Sequence, residues 1–495
     1  MLVCERHYRI GGYTHVFTRP GYEWDVGVHY VGRVAKGELL RALFDRVSDG
    51  QLEWAPLPDV YDAIELGARR FEFKKGRSAF VEGLARHFPA RREALERYVR
   101  LLTATARKVQ LELINRVARP NTARLATHRL TPSVPEWAQQ TTRATLEGLG
   151  FDALQVATLA GQYGDYGPGP SRSSFALHAA VADHYLEGAW YPVGGSSRFA
   201  QTIAPAIEAA GGHLATAAEV KRIVVDAAGT RAIGVELADG RTLQAKTIVS
   251  DAGVSSTYGA LLPEAHRPAE VMEALRRATP SSAYVCLYLG FKHTDAELGL
   301  DGTNLWLHPD EHPDENIRRF EEDVRAPFPV LYVSFPSAKD PDFQRRHPGR
   351  ATIECLTMAK WEWFERWKDT RWQKRGAEYD ALKVSLQQRM LDAVLARLPQ
   401  LRGKVDHVEL STPLSAAHFA GHPRGELYGL EGTPARYRVP LRAQTHLEGL
   451  VLTGADLATA GVAGAAFAGS LAAAAILGPK KLWDWFPLEA AFAGS

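Results

Sequence analysis

The close of this chain constrains it most. Leu450 to Thr453 is a short apolar run, Gly454 follows it, and from Gly461 to Gly478 most residues are small or apolar. That order reads as a buried strand, a turn where glycine allows a close backbone approach, and a helix slim enough to pack tightly on a sheet. Asp456 stands between strand and helix, where a carboxylate can accept hydrogen bonds from the hydroxyls of a bound molecule. The helix start at Gly461 and Val462 presents free N–H groups and the positive end of the helix dipole, which favour negative charge. The opening is of the same kind. Leu2-Val3-Cys4 is a short strand ending on an acid, Glu5, and Gly11-Gly12 begins six residues later. In a dinucleotide fold such an acid holds the adenosine ribose, and such glycines let backbone approach a pyrophosphate. A G-x-G-x-x-G turn ordinarily precedes that acid by about 20 residues, and this sequence carries none in a strand-to-helix setting. The expectation is therefore that Met1 lies inside a longer reading frame, with a strand, a Gly-rich turn and a helix ahead of it.

Four segments together carry a resemblance. They are Glu5 to Gly12 running into Tyr13-Thr14-His15-Val16-Phe17 and Trp24 to Gly32; Gly164-Asp165-Tyr166-Gly167 through His184-Tyr185 to Tyr191-Pro192-Val193-Gly194-Gly195-Ser196-Ser197; Thr412-Pro413-Leu414-Ser415 through Tyr428-Gly429-Leu430-Glu431; and the closing segment. In these the chain resembles the phytoene desaturase-type FAD-dependent oxidoreductases, closest to the carotenoid isomerase and retinol saturase branch. The resemblance implies an α/β fold: a FAD-binding Rossmann-like domain, its N-terminal βαβ unit truncated here, with a discontinuous α+β substrate domain. It implies FAD as cofactor and a lipophilic polyene as substrate, with carbon–carbon double bonds desaturated, saturated or isomerised. The cofactor residues it implies are Glu5, Gly11, Gly12, Val220, Gly454, Asp456, Gly461 and Val462, Val220 lending backbone bonds to the adenine. Tyr191, with Gly194 and Gly195, falls near the isoalloxazine, and Tyr191, His29 and His418 are the candidates for handling protons. His178, His184 and His422 lie in the same family-like segments, where structural hydrogen bonding is the ordinary role of a lone histidine. The ordinary role of Arg424 and Glu431 is a solvated or ion-paired loop, and that of Asp165 is capping a turn.

Composition narrows the alternatives. Lys plus Arg number 59 against 57 Asp plus Glu, which gives nucleic acid no basic surface to bind. Cys4, Cys286 and Cys355 are too far apart for a metal pattern or a disulfide framework. The start has no secretory signal, so a cytoplasmic location is expected. Leu450 to Gly478 is long enough to suggest a membrane span, but Asp456 and recurring glycines argue for a helix packed within the protein. Lys480-Lys481-Leu482-Trp483-Asp484-Trp485-Phe486 mixes basic and aromatic residues as interfacial segments do, so the tail, 479–495, is a candidate for peripheral membrane contact.

Punctuation along the chain divides it. Residues 1–60, 190–265 and 425–478 are expected to form the cofactor domain, and 61–189 with 266–424 the substrate domain. Glu93 to Arg119 reads as a long helix, and Pro135 to Ala160 as another. Arg198 to Ala210 is a helix stopped by Gly211-Gly212. His213 to Leu214, Val220 to Asp226, Ala232 to Leu237 and Thr242 to Ser250 are strands, with turns at Gly229 and Asp239-Gly240. Ser281 to Phe291, Pro329 to Phe335 and Ala351 to Thr357 belong to a second sheet, and Asp380 to Leu398 is a helix. Two other functions stay open: a flavin amine oxidase, and a non-catalytic shortened relative that binds lipid or a partner.

Overall fold

A computed structural model describes residues 1–118, 136–478 and 480–481. Its largest element is a seven-stranded sheet. The order across it is Val405–Ser411, Ala283–Phe291, Ala351–Ala359, Leu331–Ser334, Asn304–His308, Val60–Leu66 and Arg69–Lys74. Neighbours run antiparallel except Asn304–His308, which lies parallel to Val60–Leu66. The middle strands are apolar almost throughout because both faces are covered. One face packs Val285, Leu287, Ile353 and Cys355 against Leu386, Met390 and Val394 of the helix Ala377–Arg397. The other turns Tyr284, Trp306, Tyr332 and Met358 toward the helical part of the chain.

That helical part is led by Arg92–Ala118, 27 residues and so about 40 Å long at 1.5 Å per residue. It lies against Phe175–Tyr185. Pro135 to Ala160 is not one helix as expected. Among the described residues it is three, Glu136–Gln139, Thr142–Gly148 and Ala153–Leu159. The physical reason is local: Thr141 and Asp152 each accept a bond from a backbone N–H three residues on, so each caps a new helix instead of continuing an old one. The strand expected over Thr242 to Ser250 is likewise two, Thr242–Gln244 and Ile248–Ser250.

The two ends of the chain build parallel pairs. Leu2–Cys4 pairs with His213–Ala215, and Ile248–Ser250 pairs with Leu450–Leu452. Between them in sequence is an antiparallel meander of Val220–Val225, Ala232–Leu237 and Thr242–Gln244. The closing helix, Gly461–Leu477, packs on Leu39–Val47 and on Arg92–Ala118. Its small residues are required: a Cβ added at Gly464 would fall 2.0 Å from the carbonyl oxygen of Thr459.

The strand Ala283–Phe291 is the spine of the large sheet, paired on both sides. Leu287→Ala, at a side chain with no exposure, is expected to cost about 2–5 kcal/mol of stability, read as a lowered denaturant midpoint with an unchanged slope.

Candidate functional site

Glu5 is fixed by its neighbours on both sides of the chain. Its N–H donates to the Ala215 carbonyl and its carbonyl accepts from Ala218, each at 2.8 Å. Its Oε1 accepts from the His7 N–H at 2.7 Å, which turns the backbone sharply after the strand. Val220, two residues beyond Ala218, opens the meander beside it. Gly11 and Gly12 have φ of 117° and 53° and lead into a short turn over Gly12–Thr14. That turn rests on the helix Arg198–Ala209: a Cβ on Gly11 would lie 3.3 Å from the Ala200 Cβ.

At the other end, Gly454 takes φ 90°, and a Cβ there would fall 1.9 Å from Asp251 Oδ1. Asp456 is 7% exposed. Its Oδ1 accepts from the Leu430 N–H at 2.8 Å and its Oδ2 from the Val254 N–H at 2.9 Å. Arg436 ties the same junction by donating to the carbonyls of Leu430 and Ala455, each at 2.6 Å. Asp456 therefore clamps three segments together, a structural role that the sequence alone did not suggest. The helix that follows begins at Gly461, with no side-chain cap at Ala460. Val462 packs with Val28, Phe44 and Phe199.

The remaining candidates fall in distinct settings. His178 lies between two tyrosines, 2.8 Å from Tyr98 OH and 3.0 Å from Tyr166 OH. His184 accepts from the Gly32 N–H at 2.7 Å. His418 stacks on Trp372 with ring centroids 4.9 Å apart. His422 stands 3.8 Å from Glu426, and Arg424 pairs with Glu362. Glu431, 6% exposed, accepts from Arg172 and Thr279.

Tyr191, His29 and Asp165 are different, because all three belong to one buried polar cluster that also contains residues the sequence reading missed. Tyr191 donates to Asp25, whose other oxygen accepts from the Ser196 N–H at 3.1 Å. Glu354 lies near Asp25 with no exposure, and its Oε2 is 2.9 Å from His29 Nδ1, off the line of a hydrogen bond. Lys339 donates to the His29 carbonyl at 3.0 Å, to Ser334 Oγ at 2.7 Å and to Asn304 Oδ1. Asn304 in turn donates to Asp62 at 2.9 Å. Tyr30 OH stands 3.1 Å from Asp62 Oδ2 and 2.9 Å from Asp165 Oδ2. A hydroxyl has one proton to give, so one of those two acids carries its own.

Electrostatics lead to the same conclusion. Burial pushes Asp25 up to about 7, with Glu354 adding to the rise, and Glu354 itself up to about 8 against the pull of Lys339. It raises Asp62 to about 6 and Asp165 to about 8, Asp62 contributing to the latter. Lys339 falls to about 8, and His29 to about 3 with Lys339 beside it. Four carboxyls around one ammonium cannot all ionise without water, so this cluster holds protons at neutral pH. The missed residues Asp25, Asp62, Lys339 and Glu354 come from segments far apart in the sequence. One signal could have found Glu354: an acid inside the otherwise apolar strand Ala351–Ala359.

Residues 1–477 match the family model described as flavin containing amine oxidoreductase. The chain belongs to that family. It is a FAD-dependent oxidoreductase. An all-trans-retinol 13,14-reductase from Danio rerio is 33% identical over 490 residues, covering 94% of this chain and 80% of the relative. A prolycopene isomerase from Arabidopsis thaliana is 26% identical over 263 residues, 51% of this chain and 41% of the relative. Among solved structures, cyclohexylamine oxidase from Brevibacterium oxydans IH-35A shares the fold, with a TM-score of 0.56, 17% identity, and 97% and 93% of the two chains covered. Two of the residues expected to border FAD, Gly12 and Gly461, have room beside their backbones for another molecule. A Cβ built on Gly12 or Gly461 meets nothing within 4 Å, so space is open beside both, and the first N–H groups of the closing helix are not covered by a cap.

Two outcomes check this site. Asp456→Ala leaves two buried N–H groups unpaired and is expected to cost about 1–3 kcal/mol for each in chemical denaturation, with Asp456→Asn milder because its amide oxygen still accepts. The raised acids bind protons in the folded state that the unfolded chain releases near pH 4. The stability they contribute is therefore fully present below about pH 4 and lost as pH rises toward about 8. Between those limits Glu354→Gln should flatten the decline by up to about 1.4 kcal/mol per pH unit, measured as denaturant midpoints against pH.

Proposed function

We propose that this enzyme uses FAD to reduce a carbon–carbon double bond of a lipophilic, retinoid-like polyene. The observation that carries the reading is the match to a retinol reductase along nearly the whole chain, where the match to a polyene isomerase spans about half of it. The sheet supports it with one aromatic face, Tyr284, Tyr288, Trp306 and Tyr332, opposite Phe17, Trp24 and Tyr30. These rings pack on one another, and proton-holding acids adjoin them. Residues 1–60, 190–265 and 425–478 serve the cofactor in this reading, and 61–189 with 266–424 the substrate.

Glu5 would hold the adenosine ribose and Val220 the adenine. Gly11 and Gly12 would let backbone come near the pyrophosphate, and Gly454 with Asp456 would border the ribityl chain. The N–H groups at Gly461 and Val462 would stabilise negative charge on the pyrimidine edge of the flavin. When bound, FAD supplies the hydride-exchanging centre. The chain's own part is to place the polyene, exclude water and supply the proton.

A polyene must leave a bilayer to be a substrate, and we propose peripheral membrane contact at the end of the closing helix. Ile476 and Leu477 are 44% and 63% exposed there, with Lys480 and Lys481 following. Among the described residues no helix is long and apolar enough to cross a membrane.

Purified protein should carry flavin absorbance and, with a chemical reductant under anaerobic conditions, convert all-trans-retinol to a product two mass units heavier. Oxidation of amines with no change in the retinoid would favour the amine oxidase reading. A colourless protein that still binds retinoid would favour the non-catalytic one.

A further inference from the structure

The cluster around Glu354 has a directional arrangement that its packing alone does not require. Glu354 projects from the central strand Ala351–Ala359, in register with Tyr288 on the neighbouring strand. Around it stand His29, Asp25, Lys339 and Cys286, with Tyr191 bonded to Asp25. Among the described residues no side chain makes a hydrogen bond to either oxygen of Glu354, which is left with the Asp25 backbone beside it, and His29 Nδ1 has no hydrogen-bond partner either. An unpaired, fully buried carboxylate is costly, so such a carboxyl keeps its proton. His29 is the most exposed group around it, with 14% of its side chain reached by solvent against none for Glu354. It also lies at a boundary. Val28, the residue before it, shares a cluster with Val462 at the start of the closing helix, and two residues on Val31 pairs with Trp190, beside Tyr191.

We propose that Glu354 and His29 form the proton-delivery pair for double-bond reduction, Glu354 storing the proton and His29 handing it to the polyene. This rests on the double-bond reading above. Reducing one double bond takes a hydride at one carbon, which a reduced flavin supplies, and a proton at the neighbouring carbon. Neutral His29 gives the proton on Nε2 to that carbon, and the new C–H bond uses the electron pair left from the broken π bond. As Nε2 loses its proton, Nδ1, 2.9 Å from Glu354 Oε2, takes one from the Glu354 O–H once the ring turns onto the line between them. Glu354 is left a carboxylate facing the Lys339 ammonium, and water returns the proton between turnovers. The arrangement gives Lys339 a purpose in a site otherwise crowded with acids: it stabilises the ionised form that exists only after delivery. Glu354 is a positioning and supplying residue in this scheme, and His29 is the group that meets the substrate.

Infrared spectroscopy of the FAD-loaded protein and its variants reads the stored proton directly, without turnover. The wild type should show protonated carboxyl absorption at neutral pH, sensitive to deuterium oxide, from which E354Q removes one component and leaves that of the other raised acids, Asp165 among them. In turnover E354Q and H29Q should each slow retinol reduction about 100-fold or more with flavin absorbance retained, and E354D should recover part of the rate. The wild-type rate should fall as pH rises through the titration of the stored proton, and E354Q should lose that dependence. If E354Q does not fold, H29Q at the partly exposed ring decides: a slowed rate with the carboxyl band intact supports the pair. E354Q losing no component of the carboxyl absorption and keeping the wild-type pH profile, or H29Q reducing retinol at the wild-type rate, would overturn it. A wild type that shows the band but reduces no polyene counts against the substrate reading instead, so the two failures are separable.

Discussion

Lys339 sits where four buried or nearly buried carboxyl groups converge, and that one ammonium sets the terms for the surrounding structure. It is 4% exposed, and its three hydrogen bonds reach the segment at His29 and two neighbouring strands of the large sheet. Removing water from so many ionisable groups is expensive unless each is paired or neutral. The strap carrying Asp25, His29 and Tyr30 is thus held against the strands carrying Asp62, Asn304, Ser334 and Glu354, and the aromatic face is positioned as a consequence. The same constraint explains why the acids keep protons.

A second constraint acts at the junction of Gly429-Leu430, Val254 and Asp456. Both carboxylate oxygens of Asp456 are used on backbone N–H groups, and glycine is needed where Gly429 approaches, since a Cβ there would lie 2.2 Å from Asp456 Oδ1. The closing strand, the turn and the helix are locked to the rest of the chain at that point. A carboxylate held in this way has its orientation already settled by the protein.

Legibility in the sequence followed the length scale of the signal. The closing helix and the strand Ala283–Phe291 stood out because their apolar runs are long, and Ala351–Ala359 because only Glu354 and two threonines interrupt it. Val60–Leu66, Asn304–His308 and Val405–Ser411 did not, because Asp62, Glu65, Asn304, His308, Asp406 and Glu409 interrupt the pattern. Those interruptions mark polar partners rather than solvent: Glu65, for example, is paired with Arg397 and Arg70. Pro135 to Ala160 looked continuous because capping by Thr141 and Asp152 leaves helical spacing intact on either side. The family was legible from four separated segments, and the comparisons bear that out. The buried acid cluster was not, because it exists only when the strap and the sheet meet. Tyr191 and His29 were singled out by resemblance, and the structure brings both to that cluster. His418 lies apart from it, stacked on Trp372. The interfacial residues from Leu482 to Phe486 lie outside the described residues.

The most direct test of the central claim is whether a polyene takes electrons from this flavin. The protein would be reduced anaerobically, mixed rapidly with all-trans-retinol, and followed at the absorbance of the oxidised flavin. The account predicts that this absorbance returns as the polyene loses one double bond, in equal molar amounts. A flavin that stays reduced in the presence of bound retinol would contradict it.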